Sequence, residues 1–95
     1  MIERHVTFSV LPDKCRDFET FFVEQYRPGM STMPGFVKVE LLREAEQTSQ
    51  YQMVIRFESL ETAAEWRNST VHKGLQPAFK SLYSESTLQV YEVIA

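Results

Sequence analysis

The chain has a single cysteine, three glycines and no apolar run that approaches the length of a membrane span. Each shortage excludes something. Cys15 alone cannot close an intrachain disulfide, and no second cysteine stands by to make a zinc site. Three glycines leave no phosphate-cradling loop, so nucleotide binding is unsupported. A membrane helix needs roughly 20 apolar residues in a row, and no membrane association is expected. The opening MIERHVTF carries Glu3 and Arg4 and lacks an apolar signal core. Ten Lys and Arg stand against 13 Asp and Glu, for a net charge of -3. No basic stripe is present, which argues against a nucleic-acid partner. No Ser-His-Asp spacing and no paired-carboxylate arrangement can be read. These absences lead us to expect a cytoplasmic protein with neither nucleic acid nor membrane as its partner.

What is present is an aromatic, globular composition. Apolar residues make up 43% of the 95 and aromatics 13%, and the length suits one domain over residues 1–95. Residues 2–10 alternate, with Val6, Phe8 and Val10 on one side and His5, Thr7 and Ser9 on the other, the period of a strand. Leu11-Pro12-Asp13 ends that strand and opens a helix. Cys15, Phe18, Phe22 and Tyr26 then recur at helical spacing with Phe21 beside them. Arg27 precedes Pro28, so the helix is expected to end or kink there. The two Pro-Gly pairs of PGMSTMPG read as turns in which glycine takes positive φ.

FVKVELLRE alternates again, with Val37, Val39 and Leu41 on one face and Phe36, Lys38, Glu40 and Leu42 on the other. After the polar AEQTSQ loop, YQMVIRFE is a third strand. Ser59 is a candidate N-cap, followed by a helix with Leu60, Ala63, Ala64 and Trp66 inward. Ser69 or Thr70 can cap another turn, and Val71, Leu75, Phe79 and Leu82 continue the helical period. Gly74 and Pro77 interrupt it, so two short pieces are expected, with Pro77 near the start of the second. STLQVYEVIA is the last strand. The order β-α-β-β-α-β predicts an α+β ferredoxin-like sandwich, with helices on one face of a four-stranded antiparallel sheet. The other face is expected to be apolar and to be covered in a homodimer.

MPGFVKVELLRE and RFESLETAAEWRNSTVH, set in that order of elements, resemble the antibiotic biosynthesis monooxygenase family along nearly the whole chain. The Pro-Gly-Phe turn and the Trp-x5-His stretch carry most of the resemblance. It implies a dimeric α+β barrel with a cavity between helices and sheet in each subunit. In some members it implies oxidation of phenols or quinols by molecular oxygen without metal, flavin or heme, so no cofactor is expected. Other members are isomerases. The heme-degrading branch uses a Trp in this helix, a His ten residues later and an Asn on the first strand. Trp66 matches the first, but Gln76 stands at the second position, and the first strand offers His5 and no Asn. Heme degradation is therefore disfavoured.

Seven residues are singled out. Trp66 either anchors its helix on the sheet or walls a pocket and donates its indole N–H to a substrate. His72, the only imidazole in the helical layer, is either a cap or dimer contact or the base that deprotonates a phenol. His5 either lines the cavity or faces a partner subunit. Phe57 is expected beside the substrate. Arg56 reads as a surface ion pair with Glu58 or Glu40, or as a cation steadying a phenolate. Tyr26 and Arg27 either cap their helix or gate the cavity. Two histidines without carboxylates at ligand spacing make no metal site. The expectation is a monooxygenase acting on a small aromatic molecule, with His72 and Trp66 catalytic and His5 and Phe57 binding substrate. The alternatives are a non-catalytic small-ligand-binding dimer and an isomerase or lyase using the same pocket.

Overall fold

The computed structural model describes all 95 residues. Four strands, β1 (Ile2–Val10), β2 (Phe36–Arg43), β3 (Gln50–Phe57) and β4 (Tyr83–Glu92), form one antiparallel sheet in the order β2-β3-β1-β4. The first crossover holds a 3-10 turn (Pro12–Lys14), helix α1 (Cys15–Phe21), a π turn (Phe22–Tyr26) and helix α2 (Arg27–Ser31). The second holds α3 (Leu60–Asn68) and α4 (Thr70–Lys80). This is the ferredoxin-like α+β sandwich that the order of elements predicts.

The core lies between the helices and one sheet face. Phe8, Val10, Tyr51, Met53, Ile55 and Phe57 come from the strands, and Phe18, Phe22, Tyr26, Met30, Trp66 and Phe79 from the helices. All are buried. The alternation of β1 and β3 dictates this: every second residue points at the helices and the others point away.

Local departures from the expected pattern each have a cause. The first helix does not stop at Pro28 but runs on to Ser31. Proline lacks an N–H and its ring clashes with the carbonyl four residues back. The π turn absorbs both defects, with the Arg27 N–H donating to the Phe22 carbonyl five residues back. Pro28-Gly29 is therefore helical rather than a turn, and Gly29 has no positive φ. It is small for another reason: a Cβ there would sit 2.9 Å from Val71 Cγ1, so glycine lets α2 close on α4. Gly35 is the one residue with positive φ, at 79°, and a Cβ there would meet Thr62 at 2.5 Å.

In β2 the pairing slips between Phe36 and Lys38. This bulge at Val37 puts Phe36 opposite Phe57 on the helix side and leaves Val37 exposed, the reverse of simple alternation. The second helical layer breaks at Ser69 instead of at Gly74, and Pro77 lies inside α4. Ser69 causes the break: its extended backbone ends α3, and its hydroxyl accepts from the His72 N–H at 3.1 Å. Leu60 and Ala64 face out from α3, while Ala63 and Trp66 face in.

The expectation of an apolar outer sheet face is corrected. That face is mixed: Glu3, His5, Thr7, Gln52, Arg56 and Gln89 share it with Leu42, Val54 and Tyr91. Further half-exposed apolar residues lie on the edge strand β4, at Leu88 and Val90, which share the helix-facing side with Val6 and Arg4.

Candidate functional site

A cavity of about 300 Å³ opens between the sheet and α4. That is roughly twice the ~150 Å³ that suffices for benzene in an apolar protein cavity. Its floor is Val6, Phe8, Met53 and Ile55 from β1 and β3, its ceiling Trp66, His72 and Phe79, and its far wall Tyr26. Leu88 and Ser86 of β4 flank the mouth.

Each polar side chain arrives by a local rule. Ser59 caps α3 in a reciprocal box with Thr62, the Ser59 hydroxyl accepting at 3.2 Å and the Thr62 hydroxyl at 3.1 Å. Seven residues on, two helical turns, Trp66 points back into the core and is 1% exposed. The Ser69 break restarts the helix so that His72 lies in its first turn, facing Trp66. The indole and imidazole centroids are 5.0 Å apart at 78°, edge to face. Tyr26 stands perpendicular to Trp66 at 5.6 Å and stacks on Phe79 at 4.5 Å.

One turn beyond His72, Gln76 places its amide Nε2 2.6 Å from His72 Nε2. In this orientation the amide N–H donates to the imidazole lone pair, and Gln76 Oε1 is buried without any partner. Arg4 enters from β1, in step with Val6 and Phe8, and is buried at 9% exposure. Arg67 and Lys80 complete the polar lining at the rim, where both are exposed.

The electrostatics follow from this placement. Burial, then the charges of Arg4 and Arg67, hold the His72 pKa below the ordinary 6.5, so the ring is neutral near pH 7. Burial pushes the Tyr26 hydroxyl up to about 12, so it stays protonated and can donate. The site thus offers a neutral imidazole, a phenol O–H and an indole in a chamber of mixed polar and apolar lining. That set can take a proton from a bound acid and hold the resulting anion.

The residues singled out in the sequence divide cleanly. Trp66 and His72 meet in the cavity. His5 does not: it lies on the opposite sheet face, with Nε2 2.8 Å from Glu3 Oε1 and its ring 4.7 Å from Tyr91. Strand parity is the reason, because β1 sends Arg4 and Val6 toward the helices and His5 away. Phe57 faces the helices but is fully buried against Phe36, outside the cavity lining. Arg56 pairs with Glu3 across β1 at 2.6 Å rather than with Glu58 or Glu40. Arg4 was missed. The signal for it was present, an arginine of the same parity as Val6, Phe8 and Val10.

No three His, Cys, Asp or Glu side chains converge as metal ligands, and the lining has one imidazole and neither thiol nor carboxylate. Gln76 stands ten residues after Trp66, and its amide engages the His72 nitrogen that faces it.

The fold is shared widely among solved structures. SnoaB, a cofactor-independent oxygenase from Streptomyces nogalater, superposes with a TM-score of 0.89 at 18% identity, over 99% of this chain and 93% of its own. A Bordetella bronchiseptica protein named for antibiotic biosynthesis monooxygenases gives 0.87 at 22% identity, over 99% and 97%. A Nitrosomonas europaea protein named for the same family gives 0.88 at 16%, over the whole of both chains. No curated protein matches the sequence. The model of the antibiotic biosynthesis monooxygenase family matches residues 1–78, and the chain belongs to that family.

Proposed function

We propose that the protein is a cofactor-independent monooxygenase that oxidises a small aromatic phenol or quinol with molecular oxygen. The observation that carries this reading is the neutral His72 set against Trp66 in an aromatic-walled chamber. An imidazole held neutral can accept the phenol proton near pH 7, where a free phenol is almost wholly protonated. The phenolate is electron-rich enough to react with oxygen. One oxygen atom enters the ring as a carbonyl and the other leaves as water, so phenol plus O2 balances as quinone plus H2O. Trp66 and Phe79 hold the ring, and the Tyr26 hydroxyl donates to the developing anion. For His72 to act, Gln76 must swing off its Nε2. Its unpartnered Oε1 can then accept from the incoming hydroxyl. Membership of the family and the oxygenase activity for which SnoaB is named support the reading. In this reading two chains associate through the outer sheet face, which holds His5.

The test is oxygen uptake by the metal-free protein over a panel of phenols and quinols. We expect protein-dependent uptake that falls about 100-fold or more in His72→Ala, and less in Trp66→Phe, which keeps a ring but loses the N–H. A second reading, a small-ligand binder without turnover, is favoured by one observation: Gln76 occupies the imidazole nitrogen. Ligand-induced thermal shifts without any oxygen uptake would select it.

A further inference from the structure

Arg4 is the anomaly of the cavity. A buried charge is ordinarily paired, because leaving it unpaired in a dry site is costly. Arg4 is 9% exposed and takes part in no ion pair or hydrogen bond. The chain's ion pairs use Lys14, Lys38, Arg43, Arg56 and His5 instead. The chain has 13 carboxylates, yet none lines this cavity, while Arg4, Arg67 and Lys80 do. An acidic protein has thus kept its acids out of one chamber and sent three cations to it. Its guanidinium keeps some contact with solvent, at the cavity that Arg4 helps to line. Gln76 Oε1 is a fully buried polar atom without a partner in the same chamber.

We infer that the ligand carries a carboxylate besides its aromatic hydroxyl, and that Arg4 binds this carboxylate as a planar two-pronged partner. A guanidinium presents parallel N–H donors that match a carboxylate. Only one of the three cations is buried, which suits a monoanion better than a phosphate dianion. Arg67 and Lys80, exposed at the rim, draw the anion in. Together these groups define the substrate class as a hydroxylated aromatic acid. The hydroxyl part rests on the monooxygenase reading; the acid part rests on Arg4 alone.

Calorimetric titration of the purified protein near neutral pH tests it with three probes: 4-hydroxybenzoate, its neutral isostere 4-hydroxybenzyl alcohol, and 4-hydroxyphenyl phosphate. We expect the carboxylate to bind about tenfold or more tighter than the alcohol. Arg4→Met should erase that difference while leaving the affinity for the alcohol unchanged. Equal affinities in the wild type would overturn the inference, and that comparison stands even if Arg4→Met does not fold. A preference that survives in a folded Arg4→Met would overturn it too, and a phosphate bound more tightly than the carboxylate would overturn the choice of anion. The titrations are run without oxygen, so they read binding alone; a protein that binds the acid but, in air, takes up no oxygen refutes the monooxygenase reading and leaves the Arg4 assignment intact.

Discussion

Single residues carry the chemistry here, and their protonation can be followed. The unfolded His72 has the ordinary pKa of 6.5, and burial lowers it in the folded chain. Between the two values the unfolded chain binds more protons, so stability rises with pH through that window. The contribution of His72 is complete above 6.5 and is lost as pH falls toward the folded value. Glu3 behaves differently: hydrogen bonds from His5 and Arg56 hold its carboxyl below 4.5, so its contribution is lost only in stronger acid. Denaturant midpoints at about pH 5 and about pH 7.5 should therefore differ less in His72→Gln than in the wild type. The same neutral imidazole places the acid limb of kcat/KM below 6.5, and the pH profile of an active substrate would show it. Trp66 was legible because a lone indole at helical spacing is conspicuous. Arg4 was passed over although its parity with Val6 and Phe8 was visible, because parity alone does not show that helices cover that end of the strand.

Elements are held apart or together by small side chains. Gly29→Ala should destabilise the protein by about 1–3 kcal/mol, since the new Cβ would press on Val71. The backbone at 29 is ordinary helix, so the cost is steric alone. Val71→Ala in the same chain should recover most of it, and a double-mutant cycle measured by denaturation would show the coupling. Gly35→Ala has no such rescue, because its φ of 79° is strained for any side chain; its loss should persist when Thr62 is shortened to Ser. Ser59→Ala should cost about 1 kcal/mol by removing the cap of α3. The Ser59 cap was readable from its place before the helix. Ser69 was readable as a candidate cap in the same way, and it caps α4. The bulge at Val37 was not, because it depends on a partner strand that local spacing does not encode.

At the scale of the whole molecule, the βαββαβ order and the sheet were legible from period alone. The character of the outer face was not. Its strands hold several apolar residues, but parity and the Val37 bulge send most of them inward and leave a Glu3–His5–Arg56 cluster outside. A dimer through this face would combine those polar contacts with the apolar surface of Leu42, Val54 and Tyr91. Sedimentation equilibrium should give twice the 11.1 kDa of one chain, with dissociation promoted by high salt; a monomer at every concentration would refute the association.

The π turn has a further consequence. Phe18, Phe22, Tyr26 and Met30 are spaced by four, and all are buried. An α-helix turns about 100° per residue, so steps of four drift about 40° each and about 120° over the series. A plain helix would rotate Met30 well away from the direction of Phe18. The wider winding of Phe22–Tyr26 acts as a phase shim that cancels part of this drift and keeps the four side chains in one column. The turn that accommodates a proline also sets the angle at which Tyr26 meets the chamber. Deleting one residue within it would leave the hydrophobic count almost unchanged and dial the tyrosine out of the site.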